Sequence, residues 1–214
     1  SSARVRPRAD RTGTATRSRS SKCWSSSRVG FAAVRLLLIV NPAASSVTPG
    51  VRAEIADTLA LHHDLELAET SPRDHASHLA RAASNDGVEV VVVLAGDGTL
   101  NEATQGLAGT DTALAPLPGG STNVFARTLG IAFDPRTACT QLLRSLATDT
   151  RRRIGLGVAE NGGTPRRFAF HLGVGFDAAV VRQMEERHAR LKRRLAHPTF
   201  AVATVDTWLR HYDR

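Results

Sequence analysis

From Arg35 onward, short apolar runs alternate with longer segments in which apolar positions recur at helical spacing. The runs predict β-strands at residues 35–40, 65–69, 88–95 and 112–117. The run at 88–95 is apolar nearly throughout, which is typical of a central parallel strand that is covered on both faces. The strand at 65–69 instead alternates apolar and polar residues, as a half-buried strand does.

The segments between these runs predict helices, and several have recognisable start signals. Thr48-Pro49 and Asp134-Pro135 each place a capping residue before a proline at the first helical position. Ser71 to Asp74 reads as a capping box that opens a further helix. The remaining helices are predicted at 99–107 and 121–129. Alternating strands and helices predict a Rossmann-like α/β domain in which a parallel sheet lies between two helical layers.

The pattern changes after about residue 150. Segments 153–159 and 167–174 flank Asn161-Gly162-Gly163, which is typical of a β-hairpin turn. We therefore expect three regions, namely a basic tail at 1–33, an α/β domain at 34–150 and the start of a β-rich domain at 151–214. A helix predicted at 178–196 ends in a basic cluster, which suits either an anionic membrane surface or the negative end of a core-facing helix.

Net charge is concentrated in the tail. The chain of 214 residues has a formal charge of +8, and most of it comes from eight basic residues within 1–30. The body is nearly neutral, so it gives no indication of nucleic-acid binding. The tail lacks a hydrophobic period and is expected to be disordered. It reads as a basic arm, as a transit peptide or, our preferred interpretation, as sequence upstream of a true start at Val34.

The cysteine count and the apolar runs limit the other classes. Two cysteines exclude a disulfide framework, and Cys139 lies on the apolar stripe of a predicted helix, where it is expected in the core. No apolar run is long enough for a transmembrane helix. We therefore expect a cytoplasmic location, and the basic end of the predicted helix 178–196 suits peripheral contact at the inner face of the membrane.

Two strand-loop-helix turns carry the chemistry. The first ends in Gly96-Asp97-Gly98-Thr99, and the second ends in Gly119-Gly120-Ser121-Thr122-Asn123. Glycine lets the backbone approach a ligand, and the helix that follows offers unpaired N–H groups to a phosphate. Neither loop is a Walker A or dinucleotide fingerprint. A carboxylate at Asp97 would repel phosphate unless a cation lay between them, and Mg²⁺ held through one carboxylate and substrate phosphates meets that need.

These motifs, in this order, resemble the catalytic domain of the diacylglycerol kinase family, which includes bacterial lipid kinases and is related to sphingosine kinases and NAD kinases. The resemblance runs from about Arg35 to the end and also includes Asn41-Pro42 and the segment 173–178. It implies Asp97 as the catalytic and metal-binding carboxylate. The nucleotide-binding residues that it implies are Asn41, Pro42, Thr70, Gly96, Gly98, Thr99, Asn101, Gly120, Ser121 and Asn123.

The resemblance implies an ATP-dependent lipid kinase that uses Mg²⁺ and phosphorylates a lipid hydroxyl such as that of diacylglycerol. It also implies a β-sandwich second domain, of which only the beginning is expected here, so that the general base lies beyond Arg214 and this chain alone is inactive. The resemblance is compatible with a homo-oligomer. An NAD kinase-like enzyme and a non-catalytic nucleotide-binding fragment are the alternatives.

The chain departs from the family pattern at two places. Val124 stands where the family has Asp, and Ala43-Ala44-Ser45 differs from the residues that usually follow Asn41-Pro42.

Overall fold

The computed structural model describes residues 6–7, 33–71, 74–160, 162–176 and 178–182. Backbone contacts divide the chain into two compact units, 1–155 and 156–214. The division lies a few residues beyond the boundary that the sequence predicts. The candidate site belongs to the first unit.

The first unit contains one parallel sheet, whose strands are β1 (Arg6–Pro7), β2 (Arg35–Val40), β3 (Asp64–Glu69), β4 (Val90–Ala95) and β5 (Ala113–Pro118). Their order across the sheet is β1-β3-β2-β4-β5. The two central strands are the most apolar, and every residue of β4 is buried. The sheet confirms the parallel α/β architecture, and the four longer strands are those that the hydrophobic pattern predicts.

Helices cover both faces of this sheet. They are α1 (Pro49–His62), α2 (His75–Asn85), α3 (Asp97–Leu107), α4 (Val124–Thr128) and α5 (Pro135–Ala147). Helices α1 and α5 pack on the face that carries Leu36, Leu38 and Val92, and the predicted core residue Cys139 is buried there. Helices α2 and α3 pack tightly together: a Cβ on Gly106 of α3 would come within 2.3 Å of a backbone oxygen of α2.

Helix starts agree with the sequence in two cases and differ in three. Thr48 caps α1 by accepting from Val51 N, and Asp134 caps α5 by accepting from Thr137 N. The predicted capping box before α2 is wrong, because Asp74 takes a left-handed conformation and makes no side-chain cap. Ser71 instead contacts His75 Nδ1 through its backbone N–H and its hydroxyl.

The other two differences lie beside the glycine loops. Helix α3 begins at Asp97, earlier than predicted, because Gly96 serves as its N-cap. Helix α4 begins only at Val124, because the residues before it form a tight turn.

The second unit contains a short antiparallel hairpin of β6 (Gly157–Ala159) and β7 (Arg166–Phe168). The predicted hairpin is therefore present, with shorter strands. The Phe168 ring lies over Gly157 so closely that a Cβ at Gly157 would overlap it. Residues 178–182 have helical backbone, and the rest of the predicted helix 178–196, with its basic end, lies outside the described residues. The β-rich second domain stays a prediction.

Within the described part of the chain, no helix combines the length and the apolar character that crossing a membrane requires.

Candidate functional site

The carboxyl ends of four parallel strands bring the predicted site residues to one edge of the sheet. Asn41 follows β2, Thr70 follows β3, Gly96 follows β4 and Gly119 follows β5. Their backbones extend the strand pairing by one step: Asn41 N donates to Leu94 O, Thr70 N to Val40 O, and Gly119 N to Ala95 O. Ligands of open α/β sheets bind at this edge.

The first glycine loop leaves the start of α3 open. Gly96 is the N-cap residue, and no side chain caps this helix end. The N–H groups of Asp97, Gly98 and Thr99 have no intrahelical partner, because the first i→i−4 bond of the helix is from Leu100 N to Gly96 O. An added Cβ on Gly98 would meet no heavy atom within 4 Å. The N-terminus of α3 is therefore accessible to an anion, which the helix dipole favours.

The loop after β2 is tied to the same helix end. Asn41 Nδ2 donates to Thr99 Oγ1 at 3.0 Å, and Asn41 Oδ1 accepts from Ala43 N at 3.0 Å. One side chain thus holds both its own turn and the first turn of α3. Pro42 lies exposed beside it.

The second glycine loop packs backbone against backbone. A Cβ on Gly119 would come within 2.8 Å of Val47 Cγ2, and one on Gly120 would come within 2.7 Å of Gly96 Cα. Gly119 O also accepts from Ser46 N at 2.9 Å. The two glycine loops are therefore in direct contact.

The side chain of Asn123 closes this second loop. Its Oδ1 accepts from Gly120 N at 2.9 Å, and its Nδ2 donates to Gly120 O at 2.7 Å. The N–H groups of Gly119 and Gly120, which the sequence had suggested for phosphate binding, are thus used within the protein. The exposed Ser121 follows them and is the residue of this turn best placed to reach a ligand.

Asp97 connects the two helix starts. Its Oδ2 accepts from Thr122 Oγ1 at 3.1 Å and from Val124 N at 3.0 Å, and its Oδ1 accepts from Phe125 N at 3.2 Å. The first residue of α3 therefore caps α4. No local sequence pattern could have revealed this contact, because Asp97 and Val124 lie 27 positions apart.

The metal-binding capacity of this edge is small. A carboxylate offers about four acceptor positions, so three hydrogen bonds leave Asp97 one position, on Oδ1. Among the described residues, no group of three or more His, Cys, Asp and Glu side chains could hold a metal ion. A cation bound at Asp97 would therefore take its other ligands from water or from a bound phosphate.

Two further predicted residues lie near this centre. Thr70 is buried, and its hydroxyl donates to Ser71 O at 3.3 Å. Asn101 lies half-buried in the first part of α3. None of the described hydrogen bonds joins the Thr70 side chain to either glycine loop.

A small cavity of about 10 Å³ lies beneath the loops, and its lining includes Asp97, Leu100 and Asn123. Such a volume holds about one water molecule.

An open helix N-terminus at the carboxyl edge of a parallel sheet is the arrangement with which α/β domains commonly bind phosphate groups. Residues 35–153, more than half of the chain, match the family model of the diacylglycerol kinase catalytic domain. The chain belongs to this family.

Two relatives and one solved structure illustrate the similarity. A diacylglycerol kinase of Mycobacterium tuberculosis is 31% identical over 141 residues, which is 63% of this chain and 45% of the relative. The probable lipid kinase YegS-like of Chromohalobacter salexigens is 36% identical over 124 residues, or 56% of this chain and 38% of the relative. A diacylglycerol kinase structure from Bacillus anthracis aligns with a TM-score of 0.49 and 32% identity, covering 52% of this chain and 43% of that one. The chain thus spans less than half the length of these relatives.

Proposed function

We propose that this chain provides the nucleotide-binding part of an ATP-dependent lipid kinase, which transfers the γ-phosphoryl group of MgATP to a lipid hydroxyl such as that of diacylglycerol. The observation that carries this proposal is the uncapped N-terminus of α3 at Gly96–Thr99. In a member of a kinase family, such an opening suits the phosphates of the donor nucleotide.

The residues at this edge fit a nucleotide phosphate chain. Three backbone N–H groups at the start of α3 would donate to phosphate oxygens, and the space beside Gly98 lets a ligand approach the backbone. The exposed hydroxyl of Ser121 would reach the same phosphates from the second loop. Asn41 would keep Thr99 in place while the nucleotide binds.

These residues offer fewer contacts to Mg²⁺ than to the phosphates. Mg²⁺ would supply charge neutralisation on the phosphates, and it is bound in many sites through one carboxylate together with phosphate oxygens and water. Asp97 Oδ1 would provide the one protein position, directly or through water, while Oδ2 stays with the α4 cap. This arrangement requires the metal to arrive with the nucleotide.

The lipid acceptor and the general base concern the whole protein, because the chain covers 45% of the Mycobacterium tuberculosis relative. That relative is named a diacylglycerol kinase, which supports a lipid hydroxyl as the acceptor. We propose that the base lies in the remainder of the protein and that the enzyme acts peripherally at a membrane surface.

The test has two stages. Calorimetric titration of the purified chain with MgATP should show binding that inorganic tripolyphosphate competes away. The full-length gene product should then transfer labelled phosphate from ATP to diacylglycerol or a sphingoid base in mixed micelles. Phosphorylation of NAD without any lipid product would replace the proposal by a soluble-substrate kinase. Absence of MgATP binding would remove the kinase proposal altogether.

A further inference from the structure

The side chain of Asn123 faces the protein interior. Its relative exposure is 4%, although Ser121 and Thr122 of the same loop are exposed. Both of its polar atoms bind Gly120, with Oδ1 accepting from Gly120 N and Nδ2 donating to Gly120 O. A buried amide that is engaged at both ends is poorly placed to bind a ligand as well.

Gly120, which Asn123 holds in place, lies against the first glycine loop. With no Cβ on either residue, the backbones of Gly120 and Gly96 approach closely enough that an added Cβ at Gly120 would lie 2.7 Å from Gly96 Cα. Gly96 is the N-cap of α3 and accepts from Leu100 N. A displacement of Gly120 would therefore displace the backbone from which the open N–H groups of α3 begin.

The backbone of Asn123 is also unusual. Its φ is +46° and its ψ is +50°, the left-handed region that non-glycine residues rarely adopt and that Asn tolerates better than most. Val124 N, the next donor along the chain, binds Asp97 Oδ2. The turn is thus held on one side by its own asparagine and on the other by the first residue of α3.

We propose that Asn123 is a positioning residue for the phosphate site and acts through Gly120 on Gly96, without contacting the nucleotide. This inference rests on the proposed function, because the ligand in question is the phosphate chain of a nucleoside triphosphate. In this proposal the N-terminus of α3 binds the phosphates, and Asn123 fixes the geometry of that N-terminus.

The main variant is Asn123→Gly in the full chain. Glycine adopts the left-handed conformation readily, so this change removes both side-chain hydrogen bonds without adding backbone strain. The matched control is Asp134→Ala, which removes the N-cap of α5. The hydrogen bonds of the Asp134 side chain go to Thr137, outside both glycine loops. A second variant, Asn123→Asp, retains an acceptor for Gly120 N but loses the donor to Gly120 O.

Two measurements separate positioning from direct contact. The first is amide hydrogen exchange at Leu100, whose N–H donates to Gly96 O, in the protein without ligand, where a residue that only touches the nucleotide has no effect. The second is affinity for MgATP, tripolyphosphate and adenosine, because a positioning effect on the phosphate site leaves adenosine binding unchanged.

The expected result is faster exchange at Leu100 in both Asn123 variants, because a displaced Gly96 O holds the Leu100 N–H less well. Asn123→Gly should also weaken binding of MgATP and tripolyphosphate by roughly tenfold or more, since small misplacements of binding groups are costly. Asp134→Ala should change neither quantity. Unchanged exchange in the Asn123 variants would overturn the inference, as would equal losses for adenosine and MgATP. A wild-type chain that fails to bind MgATP would defeat the proposed function, and the exchange result would still decide whether Asn123 positions Gly96.

Discussion

Gly96 and Gly120 lie backbone to backbone, so that a Cβ added to Gly120 would come within 2.7 Å of Gly96 Cα. Gly120→Ala should therefore force the two loops apart and lower the free energy of unfolding by roughly 1–3 kcal/mol, as overpacking does. Gly98→Ala is the matched control, because a Cβ there meets nothing within 4 Å. Urea denaturation of both variants checks the contrast. Equal stability of Gly120→Ala and the wild type would show that the loops are not in close contact.

Gly98 offers a test of phosphate binding that leaves the fold intact. Gly98→Asp adds a negative charge beside the open N–H groups of α3, where the helix dipole tolerates it but a bound phosphate would not. MgATP binding should be lost while the melting temperature is retained. Gly98→Ala separates the effect of the added methyl group from that of the charge. Undiminished ATP affinity in a folded Gly98→Asp protein would contradict the proposed location of the phosphates.

Asp97 combines a structural contact with a proposed metal contact, and these can be measured separately. Asp97→Asn keeps the shape of the side chain but removes the negative charge that Val124 N and Phe125 N now bind. We expect a loss of about 1–3 kcal/mol in the free energy of unfolding, because the amide replaces one acceptor oxygen by an N–H group that faces a backbone donor. If Asp97 also holds Mg²⁺, the difference in ATP affinity with and without Mg²⁺ should disappear in this variant. A metal dependence as large as in the wild type would exclude Asp97 as a ligand.

His63 should make stability depend on pH. Burial, with a smaller contribution from the neighbouring His62, lowers the pKa of His63 from 6.5, and its Nδ1 accepts from Val34 N, which requires an unprotonated nitrogen. The unfolded chain therefore binds a proton more readily than the folded one. The stabilisation is complete above pH 6.5 and is lost as pH falls from 6.5 towards the lower pKa of the folded state.

The measurement is the melting temperature between pH 8 and pH 5, compared with that of His63→Gln. Glutamine can still accept from Val34 N but does not titrate in this range. The variant should show a smaller decline over this interval. Parallel curves for the two proteins would assign the acid sensitivity to other groups.

The tail should be dispensable for stability. Of this region the structure describes the backbone of Arg6–Pro7, which pairs with Glu66 and Leu67 at the edge of the sheet. Two paired residues, one of them a proline without an N–H, add few hydrogen bonds against an ordering entropy of about 1–2 kcal/mol per residue. A chain that begins at Val34 should therefore melt at the same temperature as the full chain. A clear decrease would show that the tail packs on the body.

Periodicity and local start signals were sufficient for most of the fold. Apolar runs predicted β2, β4 and β5, because a parallel strand that is covered on both faces tends to be apolar along its length. The half-buried strand β3 was predicted from its alternation of apolar and polar residues. Thr48 and Asp134 were recognised as caps, because their bonds go to a backbone N–H three residues ahead. Such signals depend only on neighbours in the chain. The same reasoning failed at Ser71, whose backbone N–H donates to the ring nitrogen Nδ1 of His75.

The sequence by itself determined the succession of strands and helices along the chain, the apolar core and the presence of two glycine loops that suit a phosphate. Only the tertiary structure decided which donors stay open. Gly120 N is consumed by Asn123, the carboxylate of Asp97 is largely committed to α4, and the N-terminus of α3 remains uncapped. These assignments depend on contacts between residues that the parallel sheet brings together from distant parts of the chain. A local sequence pattern therefore does not indicate whether the hydrogen bonds of a given glycine or aspartate are satisfied.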